Sequence, residues 1–130
     1  MNCILEIDEE FENISKFSDD LKSNSNEECP IIGVKKRIIA NKDVKINDII
    51  HKIPFILDTC SPVSFISSKL VDYVDYDKKY LRGEIDDVII DFYRLDKPDI
   101  NILGMDYLLK VDATISISNK QSMALLKIAK

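Results

Sequence analysis

The sequence predicts a mostly β domain, and three observations carry that expectation. Short runs rich in β-branched residues recur between turn signals. Val44–Ile50 and Ala113–Ser118 alternate apolar and polar residues as half-buried strands do. No strand–helix–strand rhythm appears, so a parallel α/β architecture is not expected. The 130 residues suffice for one domain with a single core. A hydrophobic share of 45% is that of a globular chain and excludes wholesale disorder.

Residues 1–30 read as an acidic arm and linker. Ile7, Phe11, Ile14, Phe17 and Leu21 recur at helical spacing, which predicts an amphipathic helix with acids on its other face. Such a helix either packs loosely on the domain or contacts a partner. Lys22–Glu28 is polar and reads as linker. Residues 1–28 carry net charge −7 and residues 29–130 carry +2, so the overall −5 describes the arm more than the domain.

From residue 31 to 130 the texture is β. Ile31–Val34 and Arg37–Ala40 are strand-like, Asn41–Asp43 reads as a turn, and Val44–Ile50 as a strand. His51-Lys52 is a polar break before the apolar strand Ile53–Asp58, where Pro54 would sit at the strand's start. Val63–Ser68 is a further strand. Lys69–Asp87 is charged and tyrosine-rich, with Arg82-Gly83-Glu84 as its turn signal. Val88–Leu95 is a strand stopped by Asp96–Asp99, and Ile100–Gly104 a strand end. Met105–Lys110 reads as a short helix, with Asp106 placed favourably in its first turn.

Composition excludes several functions. The basic residues are scattered, with only Lys35-Lys36-Arg37 adjacent, so no nucleic-acid partner is expected. No apolar run approaches a bilayer span, and the acidic start is unlike a signal peptide, so no membrane role is expected. Cys3, Cys29 and Cys60 are odd in number and widely spaced, which argues for a reducing, cytoplasmic setting. One histidine and no Cys-x-x-Cys argue against a zinc site, and nothing asks for a cofactor.

The residues most open to chemistry are Asp58-Thr59-Cys60-Ser61, at the end of an apolar strand. A carboxylate there is either a turn-former or an acid in a low-dielectric cleft. A second element, Ile102-Leu103-Gly104, leads into the short helix. In this order and with apolar flanks, the two elements resemble those of the retropepsin-like aspartic proteases, over roughly residues 31–126.

The resemblance implies a small closed, barrel-like β domain with one short C-terminal helix, working as a homodimer on polypeptide substrates. Only one Asp-Thr-x-Ser sequence is present, so a pair of carboxylates requires two chains. Asp58 would be the dyad member, sharing a proton with its counterpart. Thr59 would brace the partner's loop, Ser61 would hydrogen-bond the outer carboxylate oxygen, and Gly104 would let backbone pass close beneath the loop. The implied function is an aspartic endopeptidase of the retroelement or viral polyprotein-processing type, in the cytoplasm or within virus-like particles.

The chain departs from the family pattern twice. Cys60 stands where the family has glycine, and Lys69–Asp87 is short for a further strand plus the flap that closes over substrate. A competing expectation is therefore a degenerate domain kept as a dimerisation or peptide-binding module.

Other candidates carry less. His51 and Cys60 would lie near opposite ends of one strand, roughly 20 Å apart, too far for a catalytic pair. Asp72, Asp75 and Asp77 lack the glycine and spacing of a calcium loop. Tyr73, Tyr76, Tyr80 and Tyr107 read as edge or interface aromatics.

Overall fold

The computed structural model describes residues 5–7, 25–71, 79–97 and 99–129. The helix expected over Ile7–Leu21 lies outside the described residues apart from Ile7, as do Tyr73, Tyr76 and the acidic run from Asp72 to Asp77.

The strands are β1 (Leu5–Ile7), β2 (Ser25–Ile32), β3 (Arg37–Ile46), β4 (Ile49–Leu57), β5 (Ser64–Ser67), β6 (Tyr80–Ile85), β7 (Val88–Leu95), β8 (Ile102–Leu103), β9 (Ala113–Ser118) and β10 (Met123–Ile128). Two short helices are present, α1 (Ser68–Val71) and α2 (Met105–Lys110). The strand order is β1-β9-β10-β2-β3-β4-β8-β5-β7-β6, and one residue pair, Lys45 with Glu84, brings β6 back to β3. Six strands thus form a ring closed by a single bridge, which is less regular than the closed barrel expected. The other four extend it as a flanking sheet.

The core lies within the ring and under α2. β3 buries Ile38, Ala40, Lys42, Val44 and Ile46 on one face, a period-two pattern over its length. Phe55 of β4 stacks on Phe92 of β7 at 5.7 Å between centroids. Tyr107, Leu108 and Val111 of α2 and its C-terminal cap close the core from one side. Tyr107 is fully buried, not at an edge as expected.

The strands are longer than their sequence signals, and the turns fall elsewhere. Asn41–Asp43 is strand, and β3 and β4 join through Asn47-Asp48, both at positive φ (50° and 65°). That is the mirror-image two-residue turn whose twist suits a hairpin. Asp86-Asp87 (φ 49° and 63°) does the same between β6 and β7, while Arg82-Gly83-Glu84 lies in mid-strand. Gly83 is there for packing: a Cβ would stand 2.9 Å from Val44 Cγ1 and 3.0 Å from Phe92 Cε2.

His51 also lies within β4, paired with Val44, rather than in a turn. Pro54 sits inside β4, not at its start. Counting outward from the hairpin turn, its pair with Asn41 is a non-hydrogen-bonded one, so its missing donor faces away from β3. On that side β8 pairs only with Ile56 and Leu57, and no ladder bond is lost.

Two further differences concern the ends. Residues 25–28, expected as linker, are strand: β2 runs from Ser25 and pairs with β10 from Ser25↔Ile128 to Pro30↔Met123. The expected boundary at residue 30 falls inside this strand. At the other end an additional strand, β10, lies between β9 and β2. β1 pairs with the outer edge of β9 in parallel, Leu5 opposite Ile115.

Candidate active site

Asp58 follows the last residue of β4, and its N–H donates to Leu103 O at 3.0 Å, extending the β4–β8 ladder to the carboxylate. The chain then turns sharply. Ser61 N–H donates to Asp58 O at 3.2 Å, and Cys60 N–H donates to Asp58 Oδ1 at 2.9 Å. One carboxylate oxygen thus holds the loop's own backbone, as an Asx turn does. Asp58 is half-buried. Of the two readings of an aspartate at a strand end, turn-former and acid in a low-dielectric cleft, these bonds show the turn-former.

The loop rests on the start of α2. Met105 N–H donates to Ser61 O at 2.7 Å, and Asp106 N–H donates to Pro62 O at 3.2 Å. Gly104 lies between, and a Cβ on it would stand 2.3 Å from Val63 O and 2.5 Å from Ser61 O. No side chain fits there, and only glycine allows the two backbones this separation.

Ser64 and Asp106, neither singled out from the sequence as site residues, complete the cradle. Ser64 Oγ donates to Asp106 Oδ1 at 2.6 Å and accepts from Gly104 N at 2.9 Å. Ser64 N–H donates to Asp106 Oδ2 at 3.1 Å, and Tyr107 N–H to Oδ1 at 2.7 Å. The Asp106 carboxylate is therefore consumed in tying β5 to α2. Its place in the first helical turn was visible in the sequence; its partner on β5 was not.

Two roles expected of the loop take a different form in the single chain. Ser61 Oγ donates to Val63 O at 2.6 Å rather than to the Asp58 carboxylate. The Cys60 side chain is exposed instead of crowding its own loop. Thr59 is half-exposed beside it. Ile102 and Leu103 lie on β8, with Leu103 fully buried and Ile102 facing outward.

Beside the loop runs a continuous apolar row. The registers place Ile39, Ile56, Ile102, Phe65, Tyr93 and Tyr80 side by side across six strands. Each alternates along its strand with core-facing neighbours, so the row lies on the outward face. Phe65 and Tyr93 contact at 6.2 Å between centroids, and Tyr80 and Tyr93 at 6.4 Å. Asp58 stands two residues beyond Ile56, about 7 Å further along β4.

A second polar cluster lies inside the fold. Lys42, 6% exposed, places Nζ 2.5 Å from Glu27 and 2.9 Å from Asp86. Tyr107 Oη donates to Asp86 Oδ2 at 2.5 Å, and Lys42 Nζ lies 5.7 Å from the Tyr107 ring centre. Burial works against the charge of Lys42, but the Glu27 and Asp86 carboxylates outweigh it and hold its pKa above the usual lysine value. Burial, then hydrogen bonding to Asp86, raises the Tyr107 phenol. Cys29 is pushed up to about 12 by burial and then by Glu27, against the pull of Lys42. These groups lock β2, β3, the β6–β7 turn and α2 together. Among the described residues no cluster of three or more His, Cys, Asp or Glu side chains could hold a metal ion.

No protein-family model matches the chain, and no curated protein matches it. Among solved structures the chain is similar to the crystal structure of a retropepsin-like aspartic protease from Rickettsia conorii. The match has a TM-score of 0.53 at 17% identity, covering 83% of this chain and 96% of that one. The fold is thus mostly β and retropepsin-like.

Proposed function

We propose that the chain is an aspartic endopeptidase whose working unit is a homodimer. The observation that carries this reading is the seating of the Asp58 loop on Gly104, in a fold shared with an aspartic protease. Two Asp58 carboxylates brought together at a twofold axis cannot both ionise freely, so they hold one proton between them. The ionised one takes a proton from a water as its oxygen attacks the peptide carbonyl. The protonated one gives its proton to the carbonyl oxygen, and collapse of the tetrahedral intermediate releases an amine and a carboxylate.

The apolar row beside Asp58 suits extended polypeptide carrying large apolar side chains near the scissile bond. Polyprotein processing of the retroelement or viral type is the substrate class this reading favours. The exposed position of Cys60 supports an open loop, whereas a thiol filling the cleft would have supported a binding module.

The test is peptide cleavage by wild type and by Asp58→Asn, with oligomeric state followed by light scattering. Asp58→Asn is expected to abolish cleavage while fold and dimer persist, and wild-type activity is expected to favour mildly acidic pH. Cleavage surviving in the variant, or a strict monomer at tens of micromolar protein, overturns the reading. An inactive wild-type dimer that captures apolar peptides on the row would establish the module instead. Cys60→Gly, which restores the family's loop residue, is expected to raise activity.

A further inference from the structure

Behind the apolar row, on the side away from Asp58, lies a cavity of about 310 Å³ whose lining includes Lys52, Ile53, Pro54, Lys69, Asp99 and Asn101. Pro54 is four residues before Asp58 on β4, which places the cavity about 13 Å from the carboxylate. The volume is at the lower end of the range for small-ligand sites.

Its floor and rim differ in character. Ile53, Pro54 and Leu70 supply apolar surface. Asn101 is 8% exposed and already committed: Oδ1 accepts from Ser67 N at 2.8 Å and Nδ2 donates to Pro54 O at 3.5 Å. Asn101 therefore shapes the wall and does not wait for a ligand.

The charged groups are less settled. Among the described residues no acid pairs with Lys52; Asp43 faces it across the ladder without an ion pair. Lys69 pairs with Asp99 only at 3.8 Å, with both side chains largely exposed (74% and 81%). Such a pair contributes little and exchanges readily for a better acceptor. Two cations and an apolar lining, with one acid loosely paired to Lys69, complement a carboxylate on an apolar stem.

We propose that this cavity binds the carboxylate of a polypeptide whose neighbouring apolar side chain fills the floor, either at a free C-terminus or on an acidic residue. The carboxylate takes Lys52 and displaces Asp99 from Lys69. The site does not depend on whether Asp58 cleaves peptides, and the test is done on the Asp58→Asn chain.

The probe is an N-acetylated tetrapeptide ending in leucine with a free C-terminus, followed by backbone amide shifts in NMR titration. Shifts are expected at Ile53, Leu70 and Asn101. The C-terminal amide of the same peptide is expected not to bind, and an amidated peptide with glutamate beside the leucine separates the two carboxylate sources. Lys52→Gln together with Lys69→Gln should weaken binding about tenfold or more, in line with two lost charge-assisted contacts. Asp99→Asn should strengthen it about twofold to fivefold by freeing Lys69. Asn tolerates the positive φ of 64° at this position. Equal binding of acid and leucine amide, equal competition by inorganic phosphate, or shifts confined to other residues overturns the proposal.

Discussion

The Asp58 cradle and the Lys42 cluster both join distant segments, but by opposite means. At the cradle, backbone meets backbone at a glycine, and the carboxylates of Asp58 and Asp106 take neutral donors. At the cluster, a buried ammonium is met by two carboxylates and a phenol. The cradle discriminates by volume: one methyl is too many. The cluster discriminates by charge: the buried ammonium is tolerable inside only because the two half-buried carboxylates meet it. The fold thus depends on geometry at the loop and on compensated charge at a cluster that meets it through neighbouring residues of α2, Asp106 and Tyr107.

The largest expected effect is at the cluster. Lys42→Met removes the cation and leaves Glu27 and Asp86 facing one another at the edge of the core, at a cost of about 3–5 kcal/mol. Urea unfolding measures it. Adding Glu27→Gln and Asp86→Asn should recover most of the loss; failure to recover would mean that Lys42 acts through packing, and the contrast with the cradle would collapse.

Gly104→Ala comes next, at about 3 kcal/mol, because the clashing atoms are carbonyl oxygens of the loop and cannot rotate away. Under the proposed function, the variant should lose activity out of proportion to stability, since the loop carrying Asp58 must lift. A variant as stable as wild type would show the loop to be more pliable than its hydrogen bonds suggest.

Ser64→Ala should cost about 1–3 kcal/mol, for it strands Gly104 N–H and removes one of the two donors to Asp106 Oδ1. Asp106→Asn should cost less, because one side-chain oxygen remains to accept. An equal or larger loss in Asp106→Asn, measured the same way, would assign the bond between β5 and α2 a genuinely ionic character.

The smallest effect at neutral pH is that of Cys29. Its folded pKa is raised from 9.0 to about 12, so the folded state favours the neutral thiol. Stability is unaffected below pH 9 and declines from there to about pH 12, by at most about 1.4 kcal/mol per pH unit. Lys42 and Tyr107, both raised, lose their contributions in the same direction from their ordinary values of 10.5 and 10.0 upward. Cys29→Ala should flatten the first part of that decline in unfolding curves taken between pH 8 and 11, whatever it costs at neutral pH. An unchanged slope would place the loss elsewhere.

Strand content was legible because alternation and β-branching are local, and β5, β7, β9 and α2 fall close to where their sequences place them. The turns were less legible. Asn41-Lys42-Asp43 is as polar as a turn, and it is strand because Lys42 finds its acids on β2 and at the β6–β7 turn. Asn47-Asp48 and Asp86-Asp87 were the turn-competent pairs, adopting positive φ, but a stronger polar or glycine signal stood nearby in each case. The Cys60 departure was visible, whereas its outward position required the loop's own hydrogen bonds.

The sequence by itself determined the mostly β class, the apolar strand that ends in Asp58 and the Gly104 element that leads into α2. These are local patterns of residue type, set by side-chain size and β-propensity. Tertiary structure alone decided that β10 lies inside the flanking sheet, that Ser64 reaches Asp106, and that Lys42 can be buried. Each depends on which distant groups meet across the fold. A charged or hydroxyl side chain carries no local sign of whether its partner will be water or another residue.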